Sequence, residues 1–171
     1  MDFHAEIAGS VWLLGDHVNT DMLHPPDYFS LDADRMKEGI RQGRRRLKAA
    51  AAADFAAEGI VIVAGENFGC GSSRETSVRA LAACGLKAVV AQSFARIFHR
   101  SLTNLGIPAL VCRDIQNHVS DGDPIALSIK DGSITLRSEQ RYGCAALDPH
   151  VMKILACGGL VAYLQKELHG L

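Results

Sequence analysis

The feature that most constrains the fold of this chain is an apolar run that ends in a glycine-rich turn. Gly59-Ile60-Val61-Ile62-Val63-Ala64 predicts a buried strand. The turn is Gly65-Glu66-Asn67-Phe68-Gly69-Cys70-Gly71-Ser72-Ser73-Arg74-Glu75-Thr76, and Ser77 to Cys84 then reads as a short helix stopped by Gly85. Three glycines and two serines therefore sit where a strand becomes a helix. Glycine admits positive φ and close approach of a ligand. A helix start offers unpaired N–H groups and partial positive charge, and Arg74 adds a planar cation suited to a carboxylate. The segment is built to hold an anion beside two hydroxyls. Ser72-Ser73-Arg74-Glu75 also fits a capping box, which accounts for one serine and Glu75 but not for the second serine, the arginine or the glycines.

Other glycine loops are excluded residue by residue. The dinucleotide fingerprint fails because Arg74 stands where its third glycine belongs. The P-loop fails for want of a Gly-Lys-Ser/Thr ending, and the G-x-S-x-G nucleophile elbow is absent.

At 171 residues the chain suits a single domain, residues 1–171, with a core of its own. A net charge of −1 gives no general attraction to nucleic acid or anionic membrane. No apolar run reaches spanning length, and Met1 to Glu6 has neither the basic start nor the apolar core of a signal peptide. The five cysteines, Cys70, Cys84, Cys112, Cys144 and Cys157, lie far apart without C-x-x-C or zinc-type spacing, and they predict reduced thiols in a cytoplasmic protein. Cys70, inside the glycine loop, reads as a small residue tolerated there rather than a catalytic thiol.

Along the chain, Ser10–Leu14 predicts a strand and Gly15–Asp21 a polar loop, with Pro25 and Pro26 preventing a helix after it. From Asp32 to Ala57 the pattern is mostly helical, with Gly39 and Gly43 as weak points, and a break near Gly43 would give two helices. Its basic residues Arg41, Arg44, Arg45, Arg46 and Lys48 read as a solvated face, since no aromatics interleave them as an RNA-binding patch would require. Lys87–Ala91 and Pro108–Cys112 predict strands flanking a helix over Ser93–Leu102 capped by Ser93. This alternation implies right-handed crossovers onto a parallel sheet. Asp131-Gly132 between Ile125–Lys130 and Ser133–Arg137 predicts a hairpin, and Pro149–Leu168 an amphipathic helix whose Gly158-Gly159 permits close packing.

Three ordered motifs give the chain a family resemblance. They are Asn67-Phe68-Gly69-Cys70-Gly71-Ser72-Ser73-Arg74-Glu75, the downstream Ser93-Phe94-Ala95-Arg96-Ile97-Phe98, and the upstream Gly15-Asp16-His17-Val18-Asn19-Thr20-Asp21. Together with Gly106–Leu110 and Gly158-Gly159-Leu160 they closely resemble the swivelling domain of the aconitase superfamily, as in small subunits of 3-isopropylmalate dehydratase, over nearly the whole length. Two departures are Thr76, where the family often has histidine, and the alanine-rich stretch from Ala49 to Ala57.

The resemblance implies an α/β fold of the swivelling β/β/α type. It implies a hydro-lyase that removes and re-adds water on a malate-type hydroxy acid, foremost in the isopropylmalate isomerisation of leucine biosynthesis. The catalytic [4Fe–4S] cluster would be carried by a large partner subunit and not by this chain. By the same resemblance Ser72 is the base, acting as alkoxide, Arg74 the carboxylate clamp and Ser73 a substrate hydrogen-bond donor. Thr20 and Asp21 approach the active site, Asp21 orienting a histidine of the large subunit. Ser30 falls where homoaconitase-like members carry an arginine for an additional carboxylate, so the Tyr28-Phe29-Ser30-Leu31 loop suits an alkyl substituent. Citraconate, dimethylmalate and homoaconitate types of hydratase, and a carboxylate-binding module without catalysis, are the alternatives.

Overall fold

The structure, a computed structural model, describes residues 6–47, 59–71 and 74–169. Ser72, Ser73 and the alanine-rich stretch lie outside the described residues. Seven strands form one sheet in the order β4-β3-β2-β1-β5-β6-β7. The strands are β1 (Glu6–Leu13), β2 (Ile60–Ala64), β3 (Leu86–Ala91), β4 (Ala109–Val111), β5 (Pro124–Ser128), β6 (Ser133–Leu136) and β7 (Arg141–Gly143). The helices are α1 (Thr20–Leu23), α2 (Ala33–Arg46), α3 (Glu75–Ala83), α4 (Arg96–Asn104), α5 (Pro149–Ala156) and α6 (Leu160–His169).

Strand β1 joins two kinds of pairing. Its second half, Ser10–Leu13, runs parallel to β2 in register with Ile60–Val63, and its first half, Glu6–Ser10, runs antiparallel to β5. β2, β3 and β4 continue the parallel half, and the β5–β6–β7 meander forms the antiparallel half. Beyond β7 the chain returns to the opposite edge, where the Ala145 N–H donates to the Val111 carbonyl at 2.8 Å, so the sheet curls almost closed.

Alternation along the strands divides the core in two. Ile60, Ile62 and Ala64 face a layer built on Trp12 of β1, Ile40 of α2, Val78 and Leu81 of α3, and Phe98 and Leu102 of α4. Val61 and Val63 face Val11, Leu110, Ile115, Leu127 and Ile134 on the meander side. Burial on both faces explains why β2 reads as an unbroken apolar run rather than an alternating one.

The structure departs from the sequence expectations in several places. Helix α2 passes through Gly43 without a break. A Cβ at Gly43 would collide with the Leu23 carbonyl, and one at Gly39 would come within 2.6 Å of Tyr28 Cβ. The two glycines let α2 pass close to α1, and that packing outweighs their poor helix propensity. Ser93 caps no helix. α4 starts at Arg96, and the Ser93 hydroxyl instead accepts from the Asn67 N–H at 2.8 Å. α3 starts at Glu75 with Arg74 as its N-cap, so Glu75 opens the helix rather than standing three residues into it. Pro26 opens a short 3₁₀ turn, Pro26–Tyr28, instead of merely blocking a helix. The C-terminal helix is two helices, parted where Gly158 and Gly159 adopt φ of +83° and +126° and pack on the turn at Gly106. Of the basic face, Arg41 and Arg45 pair with Glu38, whereas Arg44 turns inward over Trp12, 5.4 Å from its ring centroid, and pairs with Asp121 at 3.7 Å.

Candidate active site

The Gly15–Asp21 loop and the glycine loop meet because β1 and β2 are parallel neighbours and both strands end at the same edge. The pairing continues past the strands as a ladder: Leu14 N–H to Val63 O (2.8 Å), Gly65 N–H to Gly15 O (3.1 Å), His17 N–H to Glu66 O (2.7 Å), Gly69 N–H to Val18 O (2.9 Å) and Thr20 N–H to Cys70 O (3.0 Å). Side chains reinforce it. Asp16 Oδ1 accepts from the Glu66 N–H at 2.8 Å, and the Asn67 amide lies 3.3 Å from His17 Nδ1. The Cys70 thiol donates to the His17 carbonyl at 3.2 Å, so it serves as a tie between the loops.

The third motif joins from β3. The Phe68 N–H donates to Ser93 O and the Ala95 N–H to Phe68 O, each at 2.9 Å. The Phe68 ring is fully buried and meets Phe94 and Phe98 edge-on. Three loops thus converge at the carboxyl ends of parallel strands, where ligands of open α/β sheets bind. Between the glycine loop and the start of α4 lies an open groove of about 410 Å³, lined by Asn67, Gly69, Gly71, Arg96 and Arg100 among others.

The glycines are required by shape. Asn67, Gly69 and Gly71 have φ of +50°, +78° and +100°, so the loop winds through alternate left-handed residues. A Cβ on Gly69 would enter the Phe98 ring, and one on Gly71 would come within 2.6 Å of the Asn19 amide. Glycine at 69 and 71 therefore makes room for neighbouring side chains of the protein itself.

Asn19 also caps α1, its Oδ1 accepting from the Asp21 N–H at 2.7 Å. This fixes the carboxylate-bearing residue at the start of the helix. Thr20 is fully buried. Asp21 Oδ1 is buried and has no hydrogen-bond partner among the described residues, an arrangement that folding alone does not favour. Arg74, at the mouth of α3, lies over the Phe29 ring with Cζ 4.5 Å from the centroid. Such stacking employs the face of the guanidinium, while recognition of a carboxylate runs through its edge N–H groups. The Ser30 hydroxyl accepts from the Asp32 N–H at 3.0 Å and shapes the turn into α2.

The structure therefore brings Thr20 and Asp21 beside Cys70 and the glycine loop, and sets the Phe29–Ser30 loop under Arg74. Sequence reasoning had not given Phe29 its stacking role and had missed Asn19 and His24. Asn19, just before Thr20-Asp21, carries a cap signature that could have identified it. His24 carries no local signal, because its importance comes only from burial.

No group of three or more histidine, cysteine or acidic side chains among the described residues could hold a metal ion, so they do not fit an iron–sulfur cluster. No helix among them is long and apolar enough to cross a membrane.

Comparison with known proteins agrees with this geometry. The aconitase C-terminal domain family matches residues 36–114. A Methanopyrus kandleri protein named 3-isopropylmalate dehydratase small subunit 1 is 37% identical over 166 residues, covering 94% of each chain. The methanogen homoaconitase small subunit of Methanothermobacter thermautotrophicus is 38% identical over 171 residues, covering 95% of this chain and 92% of its own. The crystal structure of a 3-isopropylmalate dehydratase from Methanocaldococcus jannaschii superposes with a TM-score of 0.82 at 35% identity over 96% of both chains. The protein accordingly belongs to the aconitase C-terminal domain family, among the small subunits of the 3-isopropylmalate dehydratase type.

Proposed function

We propose that this chain is the small subunit of a cytoplasmic hydro-lyase that isomerises 3-isopropylmalate and 2-isopropylmalate, as in leucine biosynthesis, and that it works only with a large subunit. The observation that carries this reading is the hydrogen-bonded ladder that sets Thr20-Asp21 beside the glycine loop at the strand ends. A carboxylate-binding module without catalysis has no need of a second acidic motif held there.

In this reading Arg74 clamps a substrate carboxylate and Ser73 donates a hydrogen bond to the substrate. Ser72 takes the proton from the carbon beside a carboxylate and returns it on rehydration. A serine alkoxide needs a stabilised negative charge, which Arg74 and the N–H groups at the start of α3 would supply. The buried oxygen of Asp21, without a hydrogen-bond partner among the described residues, is available to orient a basic group of the partner subunit. The large subunit would contribute a [4Fe–4S] cluster, whose iron acts as Lewis acid toward the leaving hydroxyl.

Specificity rests on the loop beneath Arg74. Phe29 is apolar and Ser30 neutral, and an additional substrate carboxylate left unpaired in a closed site is strongly disfavoured. An alkyl-substituted malate is therefore preferred to a homoaconitate-type acid. The test is to combine the chain with its large subunit and follow the ultraviolet absorbance of the unsaturated acid across a panel of malate derivatives. We expect 3-isopropylmalate to give the highest kcat/KM, and Ser30→Arg to move activity toward the acid with the additional carboxylate. Equal kcat/KM for the two acids in the wild-type complex would reject the specificity assignment.

A further inference from the structure

The role of His24 is not explained by the reading above. It closes α1 as the C-cap, its N–H donating to Thr20 O at 2.9 Å, and its side chain is fully buried. A buried imidazole ordinarily finds hydrogen-bond partners, yet neither ring nitrogen completes a well-formed one among the described residues, and the Tyr28 backbone makes only a marginal contact with the ring. Shape holds the ring instead. Phe29 meets it edge-on with centroids 5.0 Å apart. Helix α2 passes so close at Gly39 that a Cβ there would lie 2.7 Å from Nε2. Phe29 is also the ring on which the Arg74 guanidinium lies. On the other motif, Asp21 is the charged group that acts on the imidazole, and its own Oδ1 is buried and unpartnered among the described residues.

We infer that His24 is a positioning residue: its buried imidazole seats the Phe29 ring under Arg74 while its backbone N–H closes the short helix that carries Asp21, and so it joins the acidic motif to the carboxylate clamp. This rests on the functional reading above, because that reading gives Asp21 and Arg74 a shared purpose.

The arrangement holds only while the ring is neutral. Burial lowers the pKa of His24 below the usual 6.5, against smaller opposing effects of the Tyr28 backbone and the Asp21 charge. From α2 the ring faces Gly39, which has no ionisable side chain, and the 3₁₀ turn faces it through the Tyr28 backbone. Arg74 contacts Phe29, which separates it in this chain of contacts from the imidazole. An imidazolium would carry two N–H donors into this space, with Asp21 as the anion to receive them. Protonation therefore draws Asp21 toward the ring or expels the ring, and Phe29 shifts with it.

The test has two arms. In the complex with the large subunit, kcat/KM for 3-isopropylmalate is measured against pH for the wild type, His24→Leu and His24→Gln. We expect a wild-type acid limb with its midpoint below 6.5, falling about tenfold per pH unit as for a single protonation. Both variants should lack that limb, with KM raised more than kcat is lowered. In the isolated full chain, the NMR signals of the His24 ring and of the Arg74 side-chain N–H are followed through the same pH range. We expect one shared midpoint in the wild type and a flat Arg74 response in either variant. An Arg74 signal that ignores the His24 titration, or an acid limb that survives both substitutions, would overturn the proposal. An inactive wild-type complex would count against the functional reading, and the NMR arm would still decide the role of His24.

Discussion

Arg74 and Ser72 carry the sharpest expectations at the scale of single residues. Removing a positioned base costs about two to four powers of ten in rate, so Ser72→Ala should abolish measurable turnover while urea unfolding and subunit assembly stay unchanged. Near-normal turnover would remove Ser72 from the role of base. Arg74→Lys keeps the charge but loses the planar fork and weakens the stack on Phe29, so KM should rise more than kcat falls. His24 gives stability a pH dependence of defined sign. Its pKa is lowered in the folded chain, so the unfolded chain binds the proton more readily. The contribution is complete above the unfolded value of about 6.5 and is lost as pH falls toward the lower folded value. Urea midpoints should decline through that window in the wild type and decline less in His24→Leu. Arg74, Asp21 and Thr20 could be singled out as candidates in the sequence because they sit inside dense local motifs. Phe29 and His24 could not, because an aromatic in a loop and a histidine before two prolines acquire meaning only from what they contact.

Helix α2 shows packing overriding local propensity at the scale of an element. Replacing a helical glycine by alanine ordinarily stabilises by about 1 kcal/mol. At Gly43 the sign should reverse, because the Leu23 carbonyl occupies the place of the new methyl. Forcing extra volume into a packed contact costs about 1–3 kcal/mol. Gly43→Ala should therefore lower the urea midpoint, and an unchanged or higher midpoint would show that α1 and α2 can part easily. The same conflict explains the missed helix starts. Ser93 and Ser72 both suit a cap by local rule, but the Ser93 hydroxyl is engaged by Asn67 across the loop, and α3 starts only at Glu75. The β5–β6 hairpin was legible from Asp131-Gly132, whose Gly132 adopts φ +59°. Strand β7 was not, because its three residues are partly or fully exposed and show no apolar pattern.

At the scale of the whole molecule, the proposed function makes this chain one part of a catalytic site that a large subunit completes. The purified chain alone should show no dehydratase activity and contain no stoichiometric iron or sulfide, while addition of the large subunit should restore turnover. Iron and sulfide at one cluster per isolated chain would contradict that division. The sequence by itself determined the short apolar strands, the glycine loop between a strand and a helix, the hairpin turn and the clustered chemical residues. Each of these is written in neighbouring residues through propensity, periodicity and φ preference. Only the tertiary structure decided that β1 lies parallel beside β2, which brings Asp16 to Glu66 from 50 positions away and sets Thr20 against Cys70. It also decided that Gly69 and Gly71 yield space to Phe98 and Asn19, and that the His24 ring is buried between Gly39 and Phe29. Strand order and register arise when separate stretches bury their apolar faces against one another, and no local pattern specifies which stretch a given strand will meet.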